Sequence, residues 1–454
     1  MARSPRWGLS GPPQETHRHW AEEQEVIGPG LQAVMLWSQF CVAEAHGAVL
    51  SDLDGNEVLD LQGAGGVNSI GHAEPTLVAA MTEQLRTWTA GAFGSRARLD
   101  MAQVLRDFLP EGLDRIQLYS GGSESVEAAL RLAKSATGKY EVLSFWGGFH
   151  GKTLGSLAMT AGARKDLGPL PGGFMSAPYA NCYRCPFKLR HPGCGFACVD
   201  HAREVVKQQS TGALAAIVVE PVQGRSGNVV PPPGYLTALA SLADEFDALL
   251  IVDEMMTGFG RTGAPFAFQH DGVEPDIVTV GKGMGAGYPV TGVIASAETM
   301  ASGPFSEPSA SSSSFGAFPM ACRAVATTVS VIERDGLVER AERLGKDLLA
   351  ALAPLAEEAP LVGDVRGAGL AIGIELVEDK ESRQPVSTAV VRQAFMALLE
   401  AGVLVMTGGN TLRLYPPLNI EETQAHEAVE IIRRTLAALP GPSAGAEQTA
   451  GGRL

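Results

Sequence analysis

Four apolar runs in the chain each end on residues capable of chemistry. Leu249–Val252 runs into Asp253-Glu254, Ile277–Val280 into Gly281-Lys282-Gly283, Ile116–Tyr119 into Ser120-Gly121-Gly122-Ser123-Glu124, and Val142–Phe145 into Trp146-Gly147-Gly148-Phe149-His150. Lysine is scarce, nine residues against 26 arginines, and a lysine flanked by glycines behind an apolar run is not part of a solvated face. A desolvated lysine gives up its proton readily and becomes a nucleophile able to form a Schiff base. A buried Lys–carboxylate pair would also account for Lys282, but not for the glycines, which leave room for a bulky group. A carboxylate such as Asp253 at the end of a buried strand needs a cationic partner, or else serves as a helix N-cap. Gly122 and Ser123 open a helical pattern with Val126, Ala129, Leu130 and Ala133 on one face. A strand, a Gly-rich turn and a helix N-terminus together make an anion site, although the same pattern also describes an ordinary capped helix. It is not a Walker A loop, because no Gly-Lys-Ser/Thr follows. Phe149 on its Gly-rich loop could stack on a planar ligand or simply fill the core.

These residues need a frame that brings strand ends together. Between about residues 75 and 300, short apolar runs alternate with helical stretches, the pattern of a doubly wound α/β sheet. Leu214–Val219 and Gly292–Ser296 complete the set of strand candidates. In such a sheet the ligand sits beyond the carboxyl ends of the strands. Residues 1–60 read as an N-terminal arm and a hairpin turning at Asp54-Gly55-Asn56. Residues 61–324 form the large domain, 325–440 a smaller α+β domain containing Leu370–Leu376 and Thr411–Leu414, and 441–454 a disordered tail. Hydrophobic residues make up 45% and charged residues 19%, which excludes global disorder. A net charge of −15 argues against a sequence-independent grip on nucleic acid, but not against a small anion held by one or two arginines. No run approaches the ~18 apolar residues of a membrane span, and the N-terminus lacks an apolar signal core. The expectation is a cytoplasmic protein without nucleic-acid or membrane partners.

A phosphate cradle, a carboxylate, a Schiff-base lysine and a stacking aromatic are together what pyridoxal 5′-phosphate (PLP) requires. The chain also contains, in order, SGGSESVEAALRLAK, FHGKT, VVEPVQG, DEMMTGFGRTG, PDIVTVGKGMGAGYPV, SSSSFGAFPMAC, VRGAGLAIGIEL and LRLYPPL. On these blocks it resembles the class III, fold-type I PLP-dependent aminotransferases from about residue 45 to 435. TGKYE and a cysteine-bearing insert resemble the subgroup that includes dialkylglycine decarboxylase. The resemblance implies a mostly parallel central sheet with helices on both faces and a smaller C-terminal α+β domain. It implies that Lys282 is the Schiff-base lysine and proton shuttle and that Asp253 pairs with the pyridinium nitrogen. Gly122 and Ser123 would bind the phosphate, with Phe149 on one ring face and Met255 on the other. Ser314 stands where the family has a threonine that reaches the neighbouring subunit's cofactor phosphate, which implies a homodimer with shared sites. Arg413 matches the arginine that binds the carboxylate of amino donors.

The chain also departs from the family. Met256 replaces the glutamine that bonds the cofactor's phenolic oxygen, and Met255 replaces a valine. Arg225 stands where ornithine- and GABA-type enzymes place a glutamate gate, which puts simple ω-amino acids in doubt. Gly65 stands where dialkylglycine decarboxylase has the glutamine that promotes decarboxylation, so lyase chemistry is disfavoured. Cys182, Cys185, Cys194 and Cys198 have a spacing that suits either a structural zinc or a plain reduced loop, and no metal is assigned to the active site. The expected reaction moves an amino group from a donor such as glutamate or alanine to an oxo acceptor. The alternatives are a PLP-dependent isomerase, epimerase or mutase, and an aminotransferase acting on an amino sugar.

Overall fold

The computed structural model describes residues 7–9, 14–91, 93–162 and 165–441. The expected tail lies outside the described residues except for Gly441, as does much of the arm before residue 14.

The hairpin forms as read. Strands β1 (Val42–His46), β2 (Val49–Asp52) and β3 (Glu57–Asp60) are antiparallel neighbours. The Asp52 carboxylate holds the turn by accepting from the backbone N–H groups of Asp54 and Asn56 at 2.9 and 2.8 Å.

The central sheet is built from β4 (Arg115–Tyr119), β5 (Glu141–Phe145), β6 (Phe174–Ala177), β7 (Leu214–Val219), β8 (Leu249–Asp253), β9 (Ile277–Val280) and β10 (Thr291–Ala295). Their spatial order is β4-β10-β9-β8-β7-β5-β6. All six runs expected from the sequence are strands. Strands β5, β7, β9 and β10 are buried along their whole length, which explains why they read as unbroken apolar runs. β6 was not anticipated: it is four residues with an alternating half-buried pattern at the sheet edge. β10 runs antiparallel to both neighbours, while the remaining pairs are parallel. β4 is therefore parallel to β9, and the carboxyl ends of β4, β5, β7, β8 and β9 share one edge. The first residue of β10, Thr291, lies at that edge opposite Tyr119. Helix Gly122–Thr137 lies across the sheet and buries Val126, Ala129, Leu130 and Ala133. It stops at Gly138, whose φ of 68° is the left-handed conformation that closes a helix.

Toward the C-terminus come β11 (Val362–Ala368), β12 (Ala371–Asp379), β13 (Gln384–Pro385), β14 (Val403–Leu404), β15 (Met406–Gly408) and β16 (Thr411–Leu414). The expected strand pair is β12 with β16, joined into a sheet ordered β11-β12-β16-β15. β14 leaves this sheet to pair in parallel with β3, so the hairpin and the C-terminal segment share one sheet. Segment 224–228 is pinned to the C-terminal sheet. Arg366 donates to the Gly227 carbonyl at 3.0 and 2.8 Å, and Asn228 donates to the Ile372 carbonyl at 2.9 Å.

Candidate active site

A cavity of about 500 Å³ opens where the strand ends converge, within the size range of small-molecule sites. Gly122 and Ser123 reach it from the turn after β4, Phe149 and His150 from the loop after β5, and Asp253 and Lys282 from the ends of β8 and β9. Met255, Met256, Arg225 and Arg413 also line it. Every site residue expected from the sequence is here except Ser314, which is exposed on the loop before helix Pro319–Arg334.

The Asp253 carboxylate is 4% exposed and fully engaged. His150 Nδ1 lies 2.7 Å from Oδ2, while Thr279 Oγ1 and the Met255 N–H donate to Oδ1 at 2.9 and 3.1 Å. Burial alone would raise its pKa. The bond to His150 and its charge, together with the bonds from Met255 and Thr279, outweigh burial and hold Asp253 below the ordinary carboxylate range. Burial pulls the imidazole the other way, toward losing its proton, and Asp253 outweighs that too, leaving the His150 pKa raised. The cationic partner that the buried carboxylate requires is thus His150, 103 residues away in sequence. Sequence reasoning stopped one residue short of it, at Phe149. Glu220 was also missed, although it directly follows β7 and the same rule points to it. Burial pushes Glu220 up to about 7. Its two oxygens accept from the Phe149 and Gly224 N–H groups at 2.8 and 3.2 Å, which couples the two loops.

Lys282 sits in the left-handed backbone region at φ 42°, a conformation a non-glycine residue keeps only where its surroundings enforce it. Burial lowers its pKa against the opposing pull of Asp253 and Glu220. Of the flanking glycines, Gly281 serves packing rather than ligand access. A Cβ there would lie 2.4 Å from Met255 Sδ and 2.7 Å from Thr291 Cγ2.

Helix Gly122–Thr137 begins after Gly121 with no side chain capping it, so its first N–H groups are free for an anion. An uncapped helix end, an ionised buried carboxylate and an amine poised to lose its proton are a donor set that fits PLP. Arg413 is buried, and its Nη1 donates to the Gly224 carbonyl at 2.9 Å and to Tyr415 Oη at 3.2 Å. Its Nη2 donates to the Thr407 carbonyl at 2.6 Å. These neutral oxygens hold the guanidinium in place.

The four clustered cysteines stand apart around a small cavity of their own, all as free thiols. Among the described residues no group of three or more His, Cys, Asp or Glu is disposed to hold a metal ion. No helix among them is long and apolar enough to cross a membrane.

Residues 33–436 match the family Aminotransferase class-III. The chain is 35% identical over 403 residues to acetylornithine aminotransferase of Methanothermobacter thermautotrophicus, covering 88% of this chain and 94% of that one. An amine transaminase from an uncultivated Pseudomonas species, solved with PLP bound, superposes with a TM-score of 0.85 at 30% identity, over 91% of this chain and 98% of that one. An (S)-enantioselective ω-transaminase from Thermomicrobium roseum superposes with a TM-score of 0.86 at 30% identity, over 92% and 98%. Both fold and cavity agree with these likenesses: the chain belongs to the class III aminotransferases, PLP-dependent enzymes of fold type I that move an amino group from a donor to an oxo acceptor.

Proposed function

We propose that the amino donor is an α-amino acid such as glutamate or alanine, that Arg413 takes its carboxylate, and that Lys282 moves the proton. The observation that carries this reading is Arg413 itself: a buried guanidinium at the cavity, held by neutral oxygens and, among the described residues, facing no carboxylate. A buried cation without a counter-charge is costly unless a ligand supplies one. Bound in this cavity, PLP supplies a pyridinium that withdraws electrons from the donor's reacting carbon. Asp253, kept ionised by His150, maintains the charge of that ring. Gly122 and Ser123 hold the phosphate through backbone N–H groups and a hydroxyl. Phe149 and Met255 confine the ring, and Met256 offers it no hydrogen bond. Lys282 Nζ, whose ammonium form burial disfavours, takes and returns the proton at the donor carbon. The test is a donor and acceptor screen on the PLP-loaded enzyme. Amino transfer only from amines without a carboxylate, amino sugars included, would overturn the reading. We also place the chain near dialkylglycine decarboxylase on TGKYE and the cysteine insert, without the decarboxylation: Gly65 lines the cavity and brings no side chain to it.

His150 gives a pH test. Asp253 must be ionised, and His150 offsets the burial that would otherwise raise its pKa. In His150→Asn the imidazole's charge is lost and only the Met255 N–H and the Thr279 hydroxyl still oppose that burial, so the acid limb of the kcat/KM profile is expected to move to higher pH. A lower rate with an unmoved limb would make His150 a packing residue only.

The working unit is a homodimer with shared sites. Helix Pro75–Leu85 buries none of its side chains, and Val78, Leu85, Phe93 and Phe315 are exposed apolar residues that a second subunit would cover. Exposed Ser314 is free to reach the partner's phosphate. Ser314→Ala is expected to weaken PLP retention by about 1.5–3 kcal/mol, the worth of a hydrogen bond to an ionised group, and to leave Lys282 chemistry in place. Equilibrium dialysis of PLP checks the first point, and an active monomer in sedimentation would refute the second subunit's role.

A further inference from the structure

Arg225 lines the cavity with its side chain exposed there, and it has an unusual set of neighbours. Its guanidinium lies 5.1 Å over the Phe149 ring, a contact that orients a cation without neutralising it. Among the described residues no carboxylate pairs with it and no hydrogen bond holds it, whereas Arg366, another inward-facing arginine, is paired with both Asp364 and Glu375. The carboxylates of the cavity are committed elsewhere: Asp253 to His150 and Thr279, Glu220 to the N–H groups of Phe149 and Gly224. The charge of Arg413, which acts on Arg225, has the same sign. Its Nη1 bonds the carbonyl of Gly224, the residue before Arg225. Burial lowers the pKa of Arg225, and the charge of Arg413 lowers it further. Two guanidiniums therefore line one cavity with nothing among the described residues to neutralise either.

We propose that Arg225 is a specificity-determining residue that binds a second anionic group, so that the substrate carries one carboxylate at Arg413 and a further carboxylate, sulfonate or phosphate at Arg225. This rests on the reading of Arg413 above. A segment tied down by Glu220, Arg366 and Asn228 cannot swing Arg225 far from Arg413, so the second anion stays within the same cavity. The same two charges repel a substrate with a distal ammonium group, which disfavours basic ω-amino donors.

The test is binding of unreactive ligands to the PLP-loaded enzyme, followed by calorimetry: butyrate, glutarate, 4-sulfobutyrate and 4-phosphonobutyrate, which differ only at one end. At least one of the three doubly anionic ligands is expected to bind about tenfold or more tightly than butyrate, and the one that does identifies the second anion. In Arg225→Gln that preference is expected to fall by about tenfold, and with it the kcat/KM ratio of the matching doubly anionic donor over alanine. If Arg225→Gln is recovered without PLP, Arg225→Lys carries the test, with the preference down about threefold because a point charge lacks the planar fork. No preference in the native enzyme, or one that survives substitution, would overturn the inference. Failure of butyrate to bind through Arg413, read from Arg413→Lys, would instead overturn the reading on which it rests.

Discussion

Lys282→Ala is expected to cut amino transfer by about 10³-fold or more, the scale of losing both the nucleophile and the proton carrier. The residue is partly buried just past the end of β9, under the influence of Asp253 and Glu220, and Lys152, the other lysine at the cavity, is exposed. No neighbour can replace it. Burial also disfavours its ammonium form, so the folded state resists a proton that the unfolded chain accepts. For a lysine with a lowered pKa, stability rises with pH from the folded value up to the unfolded one, near 10.4, and is reduced by the full amount below that window. Removing the amine should therefore leave the thermal midpoint of the cofactor-free protein unchanged or higher at neutral pH. Rapid-mixing half-reactions and a thermal melt together separate lost chemistry from lost folding. Turnover within tenfold of the native enzyme would sink the assignment of Lys282.

Arg413→Lys should reduce kcat/KM for a carboxylate-bearing donor by one to two orders of magnitude, about 1.4–2.8 kcal/mol. Lysine keeps the charge but loses the planar fork that meets a carboxylate with two parallel bonds. It also loses the three bonds that aim the native group, to the Gly224 and Thr407 carbonyls and to Tyr415. An amine without a carboxylate should be far less affected in its own half-reaction. Equal losses for both kinds of amine would mean that Arg413 ties β16 to the segment bearing Arg225 and does no more.

How much of this was readable beforehand follows from what a strand encodes. A strand buried on both faces must be apolar throughout, so β5, β7, β8, β9 and the residues beyond them were visible as breaks in apolar runs. The direction of β10 was not, because an apolar run reads the same in either direction, and its antiparallel course brings Thr291 to the site. β6 was hidden for the opposite reason: four residues, half-exposed, carry no run at all. The motif order identified Lys282, Asp253, Gly122, Ser123, Phe149, Met255, Met256 and Arg413 as candidates, and the fold gathers them around one cavity.

Which charges meet was decided by tertiary structure alone. The sequence determined that Asp253 would be buried and would need a cation, since local hydrophobicity dictates burial. It did not determine that the cation is His150, because their contact depends on how β5 and β8 pack on either side of β7. Arg225 and Arg413 are 188 positions apart in the numbering; the family resemblance set both at the site, but that neither has a carboxylate partner among the described residues appears only in the fold. Burial is a local property written in periodicity, whereas the pairing or isolation of charges is a distance, and distances exist only once the chain has folded.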